Sequence, residues 1–281
     1  MALRVAQRRL VVSGWAMRIA GLAVVLIVAG AVLHRLFGLA TPVALNLFLL
    51  AFIGAGVAII LAGYALWRIW QGGFRGTGSA LVAIVTGLAI WLWPISLIPT
   101  VQALPGINDV STDVVQPPQF VEAAKLRPRG SNSVDYKGEA VAAQQLEAYP
   151  DLRSLPVDRD AAEVVAIVAQ ALRKLRMNVV REEAPNSRSR GAGFVEAVDR
   201  TLLFGFYDDV VVRVAQNGRG SLIDVRSASR FGRHDLGGNA ARVRKVLTAI
   251  VERIQATVPE KGKRGRRRLR RSGGDRGSNR S

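Results

Sequence analysis

No aspartate or glutamate occurs among the first 108 residues of this 281-residue chain. That region carries seven arginines (Arg4, Arg8, Arg9, Arg18, Arg35, Arg68 and Arg75) between long apolar runs. The runs cover about 15–33, 43–66 and 80–98, each near or above the roughly 20 residues a helix needs to cross a bilayer. Trp15, Trp67, Trp70, Trp91 and Trp93 fall near their ends, where amphipathic rings favour the membrane interface. Residues 1–101 therefore read as a region of three transmembrane helices. A cleaved signal peptide fits the first run less well. It is long, two more runs follow, and no small-residue cleavage site comes after it. Ala51, Ala55, Ala83 and Gly87 recur at four-residue spacing, which suits close helix packing within a three-helix bundle. No acid lies inside a span, so the chain lacks the intramembrane carboxylates that mark proton relays and ion pathways. That argues against a transporter.

Arginine placement sets the expected topology. Arg4, Arg8, Arg9 and Arg18 surround the start of the first span, and Arg68 and Arg75 flank the second loop. The first loop has only His34 and Arg35. The bias puts the N-terminus and second loop in the cytoplasm. Three spans then put the rest of the chain outside the inner (cytoplasmic) membrane, in the periplasm of a Gram-negative host.

Net charge is +18, but it is unevenly distributed. Residues 109–260 hold 22 Lys and Arg against 20 Asp and Glu, whereas residues 261–281 hold ten against one. A basic pI usually suggests nucleic acid; here the middle is nearly neutral and the excess lies at the two ends. Residues 258–281 read as a disordered basic tail. Its Arg266, Arg267, Arg268, Arg270 and Arg271 suit an anionic surface. A phospholipid or envelope polymer is the partner if the tail is outside, RNA or DNA if it is cytoplasmic. The chain has no cysteine, hence no disulfide and no thiolate metal site.

Residues 102–158 read as a Pro-containing connector, with INDVSTD a short strand or clamp and one short helix near 139–148. Asn108, Asp109, Ser111, Thr112 and Asp113 are rich in oxygen but lack EF-hand spacing, so turn and capping chemistry is the better account. Residues 159–257 read as a soluble α+β domain. The segment 158–177 is an amphipathic helix with Asp160 at its start and Glu163 in capping-box position. Four strand-like runs follow, MNVVREE, GFVEAVDRTLLFGF, DDVVVRVAQ and SLIDVRSASR, the last two joined by a hairpin-type NGRG turn. A closing helix begins behind Asp235. The pattern predicts an antiparallel sheet of about four strands with helices on one face.

Strand alternation divides the densest cluster of functional side chains. Ile223, Val225 and Ser227 share one face, and Asp224, Arg226 and Arg230 the other, with Arg213 opposite them on the preceding strand. The set Arg213, Asp224, Arg226 and Arg230, with His234 at its edge, is the candidate binding face for an anionic or polar ligand; cross-strand ion pairs on a solvated face are the plainer account. Asp208 and Asp209 are adjacent on a strand and point to opposite faces, so they are not a paired-carboxylate unit. Ser227 or Ser229 with His234 and Asp235 supplies the residue types of a hydrolase triad, without a nucleophile elbow. No catalytic residue, metal site or cofactor is assigned.

The runs AVDRTLLFGFYDDVVVRV and SLIDVRSASRFGRHDLGGNAARVRKVL resemble the bacterial family known as domain of unknown function 1499. INDVSTD and the following PP resemble the segment that opens the domain in membrane-anchored members. The resemblance covers roughly residues 105–255. It rests on Asp208, Asp209, Arg213, Asp224, Arg226, Ser227, Ser229, Arg230, Gly232, Asp235, Gly237 and Asn239. It implies an envelope-associated domain behind transmembrane helices and supplies no activity. The expected protein is thus a non-enzymatic inner-membrane protein whose outer domain binds an envelope component or another envelope protein. An envelope hydrolase and a membrane-tethered nucleic-acid binder are the alternatives.

Overall fold

A computed structural model describes residues 8–186 and 191–257. Three long apolar helices come first: α1 (Val11–Phe37), α2 (Thr41–Gly72) and α3 (Thr77–Ser96), continued after Leu97 by α4 (Ile98–Ala103). Each is long and apolar enough to cross a membrane. They meet through small side chains. Ala16 and Ala20 of α1, Ala58, Ala62 and Ala65 of α2, and Ala80 and Ala83 of α3 are buried together, while Leu22, Ile60 and Val85 face outward. Lipid tails are as apolar as leucine, so close backbone approach rather than burial of large side chains holds such helices together. Gly87 shows how close: a Cβ there would stand 2.6 Å from Ile59 and 3.0 Å from the Ala55 carbonyl.

The rest is one antiparallel sheet with helices. In chain order it comprises β1 (Asp109–Ser111), α5 (Glu122–Lys125), α6 (Glu139–Ala148), β2 (Leu155–Val157), α7 (Ala161–Lys174), β3 (Asn178–Glu183), β4 (Ala192–Arg200), β5 (Tyr207–Asn217), β6 (Gly220–Ser229) and α8 (Gly238–Ala256). The sheet order is β1-β6-β5-β4-β3, and β2 also pairs with β6. It has six strands, not about four. The additional two, β1 and β2, have three residues each, too few to show alternation. They come from the stretch read as a connector, which is therefore part of the sheet.

Helices α7 and α8 cover one face. Val164, Val168 and Leu172 of α7 and Val243, Val246 and Ile250 of α8 pack on Val195, Val210, Val212, Ile223 and Val225. Asp160 accepts the Ala162 amide at the start of α7, as expected of a cap. Glu163 does not close the box; it pairs with Arg159. Asp235 accepts the amides of Gly237 and Asn239 ahead of α8. The β5–β6 hairpin turns at Gly218 and Arg219, with Asn217 opposite Gly220. The run GFVEAVDRTLLFGF is not one strand: β4 stops at Arg200, and residues 201–206 form a loop against the membrane helices.

Candidate functional site

The second face of the sheet is where the predicted binding residues lie, and it is not open to solvent. Residues 112–137 run across it. Phe120 and Ala123 pack on Val211 and Ala228, leaving a polar layer beneath. Arg226 is fully buried. It donates through Nε and Nη2 to the two Asp109 oxygens at 3.0 and 2.7 Å, and to the carbonyls of Pro118 and Val134. The rings of Phe120 and Tyr136 flank its guanidinium at 4.8 and 5.5 Å. Arg230, also buried, is held by Asp209 at 2.7 Å, and Asp209 also accepts Arg127 at 2.7 Å. Arg213 lies opposite Asp224 in the strand register and donates to it and to Asp113, each at 2.7 Å. Burial opposes ionisation of Asp113, yet the amides of Gln116 and Val115 and the Arg213 guanidinium outweigh it and hold the carboxyl below its ordinary range. Those two amides on the Asp113 carboxylate are turn chemistry. Glu196, unremarked in the sequence, is fully buried and accepts the Val121 and Ala123 amides together with Arg181. The cluster is thus a closed ionic layer. The anticipated open face fails because the strand pattern gave no sign that a polar segment would lie on it.

The serines, His234 and Asp235 do not assemble into a triad. Ser227 donates to Asn239, whose amide donates to Ser229 and to the Asn108 carbonyl. His234 Nε2 faces the carbonyls of Leu104 and Val101 at 3.2 and 3.4 Å, and its Nδ1 accepts the Leu236 amide. His234 thus ties the end of α4 to the entry of α8; the N-cap of that helix is Gly237, not Asp235 as expected, and Asp235 supports the entry from two residues earlier by accepting the Gly237 and Asn239 amides. Asp208 and Asp209 do point to opposite faces. Asp208 pairs with Arg242 of α8, and burial pushes its carboxyl above the ordinary value despite that arginine. Among the described residues no group of His, Cys, Asp or Glu is placed to hold a metal ion. The basic residues Arg266, Arg267, Arg268, Arg270 and Arg271 lie outside the described residues.

A different site forms where the domain meets the membrane helices. The loop TLLFGF between β4 and β5 reaches down onto the bundle. Phe204 packs edge-on against Phe48 of α2 and tilted against Trp93 of α3, with ring centroids 5.2 and 5.4 Å apart. Phe48 lies seven residues into α2, or about 10 Å below its start at 1.5 Å per residue. Polar contacts fix the same junction. Arg35 donates to the Thr201 carbonyl at 2.7 Å, His34 Nδ1 donates to the Phe204 carbonyl at 3.0 Å, and Arg200 donates to the His34 carbonyl at 2.9 Å. Gly205, at φ 75°, makes the turn and leaves room for Arg200 at 3.0 Å. Beside this loop is a cleft of about 1160 Å³, bounded by the α1–α2 connection, Pro128 and Arg129, the end of α7, Lys245 of α8 and the start of β5. Six cations line it (Arg35, Arg129, Arg176, Arg200, Arg230 and Lys245) against one acid, Asp199, which Arg242 already holds. Arg129, Arg176 and Lys245 have no ion pair or side-chain hydrogen bond among the described residues. Such an arrangement can take a bulky anion.

A family model described as a protein of unknown function (DUF1499) matches residues 109–250. The chain belongs to the DUF1499 family. No curated protein matches it. The matched region opens at Asp109, the carboxylate that holds Arg226. The DUF1499 unit here thus includes both short strands and the covering segment, and its arginine-rich strands are explained by the buried ionic layer. The cleft lies partly outside it, since its floor comes from residues 34–42.

One imperfection of the layer can be measured through its pH dependence. The Tyr136 hydroxyl is buried with no hydrogen-bond partner. Burial first, then the Asp109 carboxylate, pushes the phenol up to about 12, with Arg226 working against them. A raised phenol contributes stability that is complete below its ordinary value of 10 and is lost as pH rises through about 12. Tyr136→Phe is expected to abolish that alkaline loss. At neutral pH it should leave stability unchanged or raise it by up to about 1 kcal/mol, because an unsatisfied buried hydroxyl is removed. Melting curves of both proteins between pH 7 and 12 check this; a large neutral-pH loss would show that the hydroxyl has a partner.

Proposed function

We propose that the protein is a multi-pass protein of the inner (cytoplasmic) membrane whose DUF1499 domain stands on the periplasmic side and binds an anionic envelope component in the cleft above the helices. The observation that carries the reading is the trio Arg129, Arg176 and Lys245, cations that among the described residues have no partner and line a cleft with a single acid. Orientation is supported by where the other arginines gather. Leu10 donates to the Arg75 carbonyl and Arg75 to the Arg8 carbonyl, so the N-terminal arm lies on the α2–α3 connection. Arg8, Arg9 and Arg75 share that end of the bundle, and the positive-inside bias assigns such an end to the cytoplasm. The domain, after an odd number of spans, is at the other end.

Two measurements test this. Alkaline phosphatase fused after Ser281 is expected to be active, as only a periplasmic C-terminus allows; an active cytoplasmic reporter at the same point overturns the orientation and revives nucleic acid as partner of the tail. Glycerophosphate added to the full-length protein in zwitterionic nanodiscs is expected to raise the melting temperature of the domain by a few degrees, roughly the effect of a ligand at ten times its Kd. The Arg129→Gln/Arg176→Gln/Lys245→Gln protein should show no rise. Equal responses would remove the cleft as the binding site.

A further inference from the structure

We infer that the cleft takes its anion from the bilayer: the ligand is an anionic phospholipid, its phosphate held by the cleft cations and its acyl chains left among the helix ends. This deepens the anion-binding reading and rests on it. Three observations identify a lipid rather than a soluble anion.

The first is position. The floor of the cleft is the α1–α2 connection, including Gly38, Leu39 and Pro42, which is the point where two spanning helices leave the hydrocarbon. Headgroup phosphates lie at that depth. The second is the loop that forms its lip. Leu202 is 88% exposed and Leu203 68% exposed, although their neighbour Phe204 is packed between α2 and α3. Two adjacent leucines on a tip already docked beside the spans face acyl chains, not water. Leu202 also lines the cleft, which makes it continuous with the membrane on its apolar side.

The third is the backbone of Arg176. It follows the C-terminus of α7 at φ 62°, and the next amide, of Met177, returns to the Leu172 carbonyl. This is a helix-ending position where glycine is unstrained and an L side chain is not. The chain places an arginine there, exposed and directed to the cleft wall. Strain retained beside a cavity is accounted for when the side chain has a use. Together with Arg129 from the covering segment and Lys245 from α8, it surrounds the opening with cations from three separate elements.

The test uses the full-length protein, reconstituted in phosphatidylcholine nanodiscs containing a minor fraction of phosphatidylglycerol, then washed with detergent. Retained lipids are counted by mass spectrometry. The wild type is expected to hold one phosphatidylglycerol per chain in preference to phosphatidylcholine. Arg129→Gln/Arg176→Gln/Lys245→Gln should lose that preference by roughly tenfold or more, given what each cation contributes at an anionic surface. The basic tail is present in both proteins, so their difference reads the cleft alone. If the triple variant melts early, Arg176→Gly serves instead; it suits φ 62° and should melt no lower than wild type while retaining less lipid. Leu202→Ser/Leu203→Ser should also retain less phosphatidylglycerol, yet respond to glycerophosphate as wild type does. Equal retention of both lipids, or undiminished retention in the leucine variant, overturns the lipid source. If glycerophosphate still binds, the anion site stands and its ligand is soluble; if neither binds, the anion-binding reading falls as well.

Discussion

Asp109→Ala is expected to destabilise the DUF1499 domain by about 3–5 kcal/mol, the range for removing one partner of a buried ion pair. Among the described residues Arg226 has no alternative counter-ion. It is fully buried on β6 and enclosed by Phe120 and Tyr136, and apart from Asp109 it reaches only two carbonyl oxygens. Loss of the carboxylate leaves a guanidinium that water cannot reach. The attraction itself is a smaller quantity than this loss, because forming the pair required stripping both ions of water. Asp109→Leu/Arg226→Met should therefore be far closer to wild type than either single change. The double-mutant cycle should give a coupling of several kcal/mol. All five tryptophans lie in residues 15–93, so tryptophan fluorescence follows the membrane helices and, through Trp93, the docked loop rather than the buried layer. Hydrogen exchange of the β5 and β6 amides is the suitable measurement. A cost below about 1 kcal/mol for Asp109→Ala would mean that water enters the layer and Arg226 is not sealed.

The same layer explains what could be read from the sequence. Elements that carry their own signal were legible: the apolar stripe of α7 with Asp160 before it, the Asn217–Gly220 turn, and the alternation that sends Asp208 and Asp209 to opposite faces. Alternation also correctly grouped Arg213, Asp224, Arg226 and Arg230 on one face. What it could not show is what lies over that face. Residues 112–137 carry their apolar side chains at irregular spacing between prolines, and α5 is a single turn, so no periodicity announces them. Their placement follows from long-range contacts, such as β1 adding to the edge of β6 and Glu196 receiving the amides before and within α5. The membrane-side cleft was illegible for a related reason. TLLFGF looks like strand because its apolar residues are satisfied by another part of the chain, the helices near Phe48 and Trp93. Arg176 looks like an ordinary basic residue near a helix end until its positive φ is known.

Asp209→Asn separates the two parts of the molecule and should be the second costly change, again about 3–5 kcal/mol. The carboxylate is fully buried and serves two arginines, Arg230 through both nitrogens of its fork and Arg127 through Nε. Arg127 already has one buried nitrogen without a partner, so it has little left to fall back on. Asparagine keeps the shape and removes the charge, leaving two cations facing a neutral amide. Asp208→Asn, one residue away, should cost clearly less. Burial already raises that carboxyl, so its contribution to stability is greatest below its ordinary value and declines as pH rises through the folded one. Neutralising it removes that decline. It also leaves Arg242 paired with Asp199. The order Asp209→Asn before Asp208→Asn, measured by exchange at neutral pH, follows from burial and partner number; the reverse order would contradict the ionic layer as described. Arg230 adds a functional consequence, because it both pairs with Asp209 and lines the cleft. At a temperature where Asp209→Asn remains folded, Arg230 has lost its counter-ion and the cleft is more positive. Glycerophosphate should then bind at least as tightly as to wild type, although the domain is weaker. Loss of stability with retained anion binding is the signature of a structural carboxylate behind a separate binding site. Parallel loss of both would place Asp209 in the site itself.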